Sequence, residues 1–130
     1  GKGGIGKSTL ASNLSVHYAG LGLNVLHIGC DPKSDSTLFL LENKEAHSTV
    51  MDFVSRYGDG GKMAGLIQKG RRGIKCIEAG GPEAGIGCGG RGVARALEYL
   101  EKQDVFKSDE YNVIIFDVLG DVVCGGFAMP

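Results

Sequence analysis

Residues 1–9 read GKGGIGKST. The stretch fits the phosphate-loop pattern G-x-x-x-x-G-K-[ST]. Its four fixed positions are filled by Gly1, Gly6, Lys7 and Ser8. Glycine allows the backbone to curl so that successive N–H groups point at phosphate oxygens, and a helix that begins here directs its positive end at the same anion. The stretch therefore predicts a nucleotide site at the start of a helix.

The side chains of this loop have distinct expected roles. Lys7 is expected to reach the β- and γ-phosphates of a nucleotide, and the Ser8 hydroxyl to bind its Mg²⁺. Lys2 resembles the lysine of the deviant Walker A family, whose members dimerise around nucleotide, and the resemblance implies that Lys2 contacts the partner subunit's phosphates. The predicted nucleotide-binding residues are Gly1, Lys2, Gly3, Gly4, Ile5, Gly6, Lys7, Ser8 and Thr9.

Length and composition indicate about one domain. The chain has 130 residues with 14 basic and 15 acidic side chains, so bulk charge gives no reason to expect nucleic acid or a membrane as a partner. No apolar run reaches the roughly 18 residues that a spanning helix needs. Because a phosphate loop needs a buried strand before it, we expect residues 1–130 to be part of a single P-loop NTPase domain whose first strand and C-terminal half lie outside them.

Apolar periodicity predicts an α/β fold with a doubly wound, mostly parallel sheet and flanking helices. In the helix over 7–20, Leu10, Leu14 and Tyr18 are spaced to form one apolar face. His27 is expected to be a core histidine. The predicted helices cover 7–20, 49–57, 63–68 and 93–102, and the predicted strands cover 24–29, 73–78 and 111–116.

Carboxylates follow two of the predicted strands. In a doubly wound sheet, the loops at the carboxyl ends of the strands line the ligand crevice. Asp31 is therefore expected to orient an attacking water, and Asp35 to hold Mg²⁺ or one of its waters. Asp117 ends a buried apolar strand, as in a Walker B motif, which predicts a place in the Mg²⁺ shell. Asp121 follows in the position of a switch that senses the γ-phosphate.

Two of the four cysteines are candidates for metal ligation. Cys88 and Cys124 each precede two glycines in a loop after a predicted strand. Glycine permits the close backbone approach and the N–H···S contacts that an iron–sulfur cluster needs. Because a [4Fe–4S] cluster needs four thiolates, a symmetric dimer with two ligands per subunit is the simplest arrangement. From these residues alone, buried structural thiols are an equal alternative. Cys30 and Cys76 are expected to be buried small residues.

Four blocks of the chain resemble the nitrogenase iron protein family, the ATP-driven reductases of the molybdenum–iron protein. The resemblance implies a homodimer with MgATP and one [4Fe–4S] cluster held by Cys88 and Cys124, and a low-potential ferredoxin or flavodoxin as electron source. It further implies a cytoplasmic protein, switch roles for Asp117 and Asp121, and, at Arg91, the surface arginine that some members carry ADP-ribosylated. The four blocks cover 1–9, 29–37, 80–93 and 116–130.

Several related classes stay open. Leu38, Ala84 and Gly89 depart from the residues frequent in that family, which leaves the reductases of protochlorophyllide and of a nickel tetrapyrrole as alternatives. Arg91 counts against the protochlorophyllide branch, where an aromatic residue is expected. A positioning or partition ATPase would share the phosphate loop without needing glycine-flanked cysteines. An iron–sulfur scaffold ATPase would usually carry a C-x-x-C, which these residues lack.

Overall fold

A computed structural model describes the structure of part of the chain. For residues 5–8, 30, 89–93 and 118 it describes the backbone alone. The described residues are 5–30, 37, 40–41, 49–58, 66–80, 89–107 and 110–118. In chain order they form α1 (Ile5–Gly20), β1 (Val25–Cys30), α2 (Val50–Tyr57), β2 (Gln68–Lys69), β3 (Lys75–Glu78), α3 (Gly89–Lys102) and β4 (Val113–Val118). Short 3-10 turns lie at Arg71–Gly73 and Val105–Lys107.

The strands of the described residues form one sheet in the order β2-β3-β1-β4. β1 pairs in parallel with β3 on one side and with β4 on the other, while β2 pairs antiparallel with β3. The predicted mostly parallel sheet is therefore confirmed. Because β1 lies between β3 and β4 and all three run in one direction, their carboxyl ends meet at the same edge of the sheet.

Helices cover both faces of the sheet. On one face, Leu26, Ile28 and Ile77 pack with apolar residues of α2 and α3 in the larger core cluster. On the other, Val25 and Cys76 belong to a second cluster against which α1 residues such as Val16 pack. The two clusters use alternate residues of the same strands, as expected when a parallel sheet is buried on both sides. This arrangement confirms the doubly wound class.

The predicted apolar face of α1 is wrong at Leu10 and Leu14, although Tyr18 does pack against the second core cluster. Leu10 and Leu14 are 60% and 39% exposed, whereas Ala11, Ser12 and Ser15 are buried. The small side chains let the helix approach β1 closely, and Ser15 makes a hydrogen bond to a strand side chain that a leucine cannot make. Close approach and polar pairing, rather than the spacing of the leucines, therefore decide which side of α1 meets the sheet.

Other boundaries differ from the sequence predictions by smaller amounts. The helix predicted over 63–68 is wrong in its described part, because Gln68 begins β2 and Leu66 lies in a turn. α3 begins at Gly89 instead of 93, although glycine has low helix propensity; packing of its later turns on the core outweighs that propensity. The helix predicted over 49–57 is confirmed, with Thr49 as its N-cap.

Candidate functional site

Two buried carboxylates lie in one row at the carboxyl edge of the sheet. Gly29 of β1 is in register with Glu78 of β3 on one side and with Asp117 of β4 on the other. Glu78 is 3% exposed and Asp117 is 1% exposed. Residues in register on parallel strands point to the same face, and here that face is the one on which α1 packs. We refer to Glu78, Gly29 and Asp117 as the carboxylate row.

The N-terminal end of α1 lies at this same edge. The short connection over residues 21–24 joins α1 to β1, so the helix runs antiparallel to the strand on which it packs. Its first residues, Ile5 to Ser8, therefore lie toward the carboxyl ends of β1 and β4. A helix N-terminus with free N–H groups and the buried carboxylate of Asp117 thus face the same region, which suits a phosphate with its bound cation.

One row further into the sheet, His27 is fully buried beneath α1. Its Nδ1 atom is 2.8 Å from the Ser15 hydroxyl oxygen, so helix and strand are joined by a side-chain hydrogen bond. Burial lowers the pKa of His27 to about 4, and the negative charge of Asp117 partly offsets that decrease. The imidazole is therefore neutral at physiological pH. The prediction of a core histidine is confirmed.

Glu78 holds the backbone at Thr37, the residue that follows 31–36 in the chain. Its Oε1 atom accepts a hydrogen bond from the backbone N–H of Thr37 at 2.7 Å, in a buried setting. The Thr37 carbonyl in turn accepts hydrogen bonds from the N–H groups of Leu40 and Leu41, both of which are buried in the core. The carboxylate of Glu78 therefore anchors the start of a well-packed turn.

Cys76 is a core residue, as predicted. It is 1% exposed, and burial raises the pKa of its thiol to about 12, with a further contribution from the negative charge of Glu78. A thiol of this kind is a poor metal ligand because the thiolate is the ligand form. Cys76 is therefore excluded as a ligand of an iron–sulfur cluster.

The buried thiol of Cys76 makes a direct chemical prediction. At about pH 8 only about one thiol in 10⁴ is ionised at such a pKa, so we expect no alkylation of Cys76 by iodoacetamide in the folded protein. Peptide mass spectrometry after alkylation with and without guanidinium chloride measures this. Rapid native labelling of Cys76, at the rate seen in denaturant, would contradict the packing described.

The structure places some predicted site residues and leaves others outside the described part. Asp117 lies where the Walker B reading put it, buried at the end of β4. Ile5, Gly6, Lys7, Ser8 and Thr9 form the first turns of α1. Arg91 lies in the first turn of α3, and Cys30, expected to be buried, ends β1. The residues outside the described part are Gly1, Lys2, Gly3, Gly4, Asp31, Asp35, Cys88, Asp121 and Cys124; their predicted roles stay predictions.

Sequence reasoning assigned no role to Glu78 or to the pair formed by Ser15 and His27. A signal for Glu78 was present, since an acidic residue ends an apolar strand there just as Asp117 does. The predicted strand over 73–78 ends at Glu78, but its apolar pattern alone assigns the carboxylate no role. The Ser15 partner of His27 depends on the packing of α1 and has no local signature.

The described residues lack two kinds of feature. They contain no group of three or more His, Cys, Asp or Glu side chains arranged to hold a metal ion. None of the helices found among them is both long enough and apolar enough to cross a membrane.

Comparison with known proteins agrees with this architecture. A solved cobyrinic acid a,c-diamide synthase from Mycobacterium smegmatis, with bound ATP analog and magnesium, superposes with a TM-score of 0.58 at 19% identity over 89% of this chain and 47% of its own. The same enzyme with bound ADP and magnesium superposes with a TM-score of 0.58 at 18% identity, over 89% of this chain and 46% of its own. At this identity the likeness shows the fold alone, that of the P-loop ATPases.

Sequence comparison is more specific. A nitrogenase iron protein from Methanospirillum hungatei JF-1 is 48% identical over an alignment of 131 positions that covers all of this chain and 45% of the relative. The chain thus spans less than half the length of this curated relative. The profile of the 4Fe-4S iron sulfur cluster binding proteins, NifH/frxC family, matches residues 1–130. The phosphate loop, the buried Asp117 and this match over the whole chain establish that the chain belongs to the NifH/frxC family of 4Fe-4S iron–sulfur cluster binding proteins.

Proposed function

We propose that this chain supplies the nucleotide site and the cluster ligands of an ATP-dependent reductase of nitrogenase type. Two copies form a homodimer around MgATP and one [4Fe–4S] cluster. The dimer takes electrons from a low-potential ferredoxin or flavodoxin and passes them singly to a nitrogenase component protein for reduction of N₂. Family membership and the likeness to a nitrogenase iron protein support this proposal.

The observation that carries the proposal is the place of Asp117. Its carboxylate is buried at the end of β4, on the face covered by α1 and at the edge where the phosphate-binding helix begins. Only six residues of chain lie between Asp117 and Cys124. A group suited to the Mg²⁺ shell and a predicted cluster ligand are therefore close together in the sequence.

The residues around the nucleotide have different roles in phosphoryl transfer. When bound, MgATP supplies the phosphoryl group whose transfer to water drives the cycle. Lys7 and the partner's Lys2 hold phosphate oxygens, while Ser8, Asp35 and Asp117 hold Mg²⁺ or its waters. Asp31 orients the water that attacks. The N–H groups at the start of α1 add positive potential where negative charge is greatest.

The donor set of the chain fits a cluster shared between two subunits. Cys76 is excluded by its burial, and the proposed ligands are Cys88 and Cys124. Cys88 directly precedes α3, and a helix N-terminus stabilises a thiolate. Arg91, the predicted ADP-ribosylation site, follows that ligand by three positions in the sequence.

The state of the bound nucleotide influences the cluster ligand Cys124 through the stretch of chain that joins it to Asp117. Asp117 and Asp121 respond to the presence of the γ-phosphate, and Cys124 follows three residues after Asp121. A shift of this segment between two states changes the surroundings of Cys124 and its distance from the acceptor protein. Nucleotide hydrolysis would in this way alter the surroundings of Cys124, and the cluster that Cys88 and Cys124 would hold would supply the transferred electron.

The proposal is tested by the iron and acid-labile sulfide content of the full-length protein purified without oxygen. We expect about two irons per chain, that is, one four-iron cluster per dimer. Cys124→Ser should abolish the iron while leaving nucleotide binding intact, because the serine hydroxyl does not replace the thiolate. Cys76→Ala is the matched control and should keep the full iron content.

The alternatives give different results in the same experiment. Iron close to zero with ATPase activity retained would refute the proposal in favour of a positioning ATPase. A full cluster with no electron delivery to a nitrogenase molybdenum–iron protein would instead indicate a reductase of tetrapyrrole biosynthesis. Retention of iron in Cys124→Ser would refute the ligand assignment.

A further inference from the structure

Glu78 is a buried charge whose presence needs a reason. It is 3% exposed, and its side chain lies on the same face of the sheet as Asp117, with β1 between their two strands. Removing a carboxylate from water costs several kcal/mol unless hydrogen bonds replace the lost solvation. A neutral side chain at the end of β3 would avoid this cost. The carboxylate must therefore do something there that an apolar residue cannot do.

The carboxylate of Glu78 contacts the backbone at Thr37, directly after the polar segment 31–36 that follows β1. Its Oε1 atom lies 2.7 Å from the N–H of Thr37, which is itself 1% exposed. Residue 30 ends β1, where it is in register with residue 118 of β4, so both ends of the segment 31–36 are held by the sheet. Glu78 provides the hold at the second end.

Gly29 makes this contact possible. A Cβ atom at position 29 would lie 2.5 Å from both carboxylate oxygens of Glu78. The absence of a side chain on β1 thus lets the carboxylate lie across the middle strand of the carboxylate row. Any larger residue at position 29 would displace the carboxylate from its place beside the Thr37 N–H.

We propose that Glu78 is a positioning residue of the nucleotide site, where its carboxylate, lying over Gly29 in the carboxylate row, fixes the Thr37 backbone and so the end of the segment that carries Asp31 and Asp35. This inference rests on the proposed function for the roles of those two aspartates. Glu78 itself does not contact nucleotide or cluster in this scheme. Its contribution is geometric, through the hydrogen bond that its Oε1 atom accepts from the Thr37 N–H.

Two substitutions at position 78 distinguish the effect of side-chain length from the effect of side-chain charge. Glu78→Gln keeps the chain length and an oxygen acceptor but loses the charge, whereas Glu78→Asp keeps the charge but is one methylene too short to reach the Thr37 N–H. The probe is the magnesium complex of a non-hydrolysable ATP analogue, titrated calorimetrically into the full-length protein. We expect Glu78→Asp to weaken binding about 10-fold and Glu78→Gln to stay within about threefold of the wild-type affinity.

Two further variants complete the design. Gly29→Ala keeps the Glu78 carboxylate but displaces it, and should weaken binding as much as Glu78→Asp. Glu98→Gln removes a carboxylate from the exposed side of α3 and should bind as the wild type does. Thermal unfolding of each variant confirms that the protein titrated is folded.

The outcomes are separable. Wild-type affinity in Glu78→Asp or in Gly29→Ala overturns the inference, and so does a loss in Glu78→Gln equal to that in Glu78→Asp, because a side chain of full reach would then not preserve binding. If the wild-type protein itself does not bind the magnesium complex, the proposed function fails and this inference fails with it. Weakening in Glu78→Asp and Gly29→Ala with near wild-type binding in Glu78→Gln supports the positioning role.

Discussion

Replacing Asp117 with asparagine is expected to lower the rate of MgATP hydrolysis about 10- to 100-fold. The carboxylate is 1% exposed at the end of β4, at the edge of the sheet where α1 begins. Asparagine has nearly the same shape but lacks the negative charge that Mg²⁺ and its waters require. The loss should therefore fall on the metal-dependent step, with little change in packing.

Phosphate release measured over a range of Mg²⁺ concentrations checks this expectation. If Asp117 acts through the Mg²⁺ shell, a high Mg²⁺ concentration should restore part of the rate in Asp117→Asn. Asp52→Asn, which changes an exposed carboxylate in the first turn of α2, is the matched control and should hydrolyse ATP at the wild-type rate. Wild-type hydrolysis in Asp117→Asn at every Mg²⁺ concentration would contradict the Walker B assignment.

The second large effect concerns His27 and the pH dependence of folding. The folded state holds the pKa of His27 at about 4, chiefly through burial, compared with 6.5 for an unperturbed histidine. Between these two values the unfolded chain binds more protons than the folded one, so stability decreases as the pH falls. The contribution is fully present above about pH 6.5 and is lost as the pH falls toward 4.

The size of this effect follows from the shift. At about 1.4 kcal/mol per pH unit, protonation of His27 in the unfolded state should remove about 3 kcal/mol of stability between pH 7.5 and pH 4.5. Denaturant unfolding at these two pH values measures it. His27→Gln removes the titrating group and should flatten the pH dependence by most of this amount.

A control separates His27 from the other groups that titrate in acid. His17→Gln removes an exposed histidine of the same helix that bears Ser15 and is the matched control. Because acid damages an iron–sulfur cluster equally in all three proteins, only the difference between their slopes is interpreted. Equal slopes in the wild type and in His27→Gln would contradict the assignment.

Much of the candidate site could be predicted from local patterns. The phosphate loop, the carboxylate that ends the strand at Asp117 and the glycine-flanked Cys88 and Cys124 are each contained in a few consecutive residues. The chemistry of the phosphate loop depends on the residue types and their spacing, so it can be predicted without knowing which strands are neighbours, whereas cluster ligation by Cys88 and Cys124 stays a prediction that also needed the resemblance to a family. The parallel sheet followed from the same kind of pattern, because alternating helical and strand segments leave few other topologies.

Tertiary structure alone decided which residues meet across the strands. The carboxylate row exists because β3 and β4 both pair with β1 in a register that brings Glu78 and Asp117 to either side of Gly29. The face of α1 was likewise chosen by packing: Ser15 bonds to His27 while Leu10 stays exposed, against the expected hydrophobic order. Such contacts join positions that are far apart in the chain, and they are selected by shape and by the satisfaction of buried polar groups. Sequence by itself thus determined the chemical groups of this protein, and strand register and helix packing determined which of them act together.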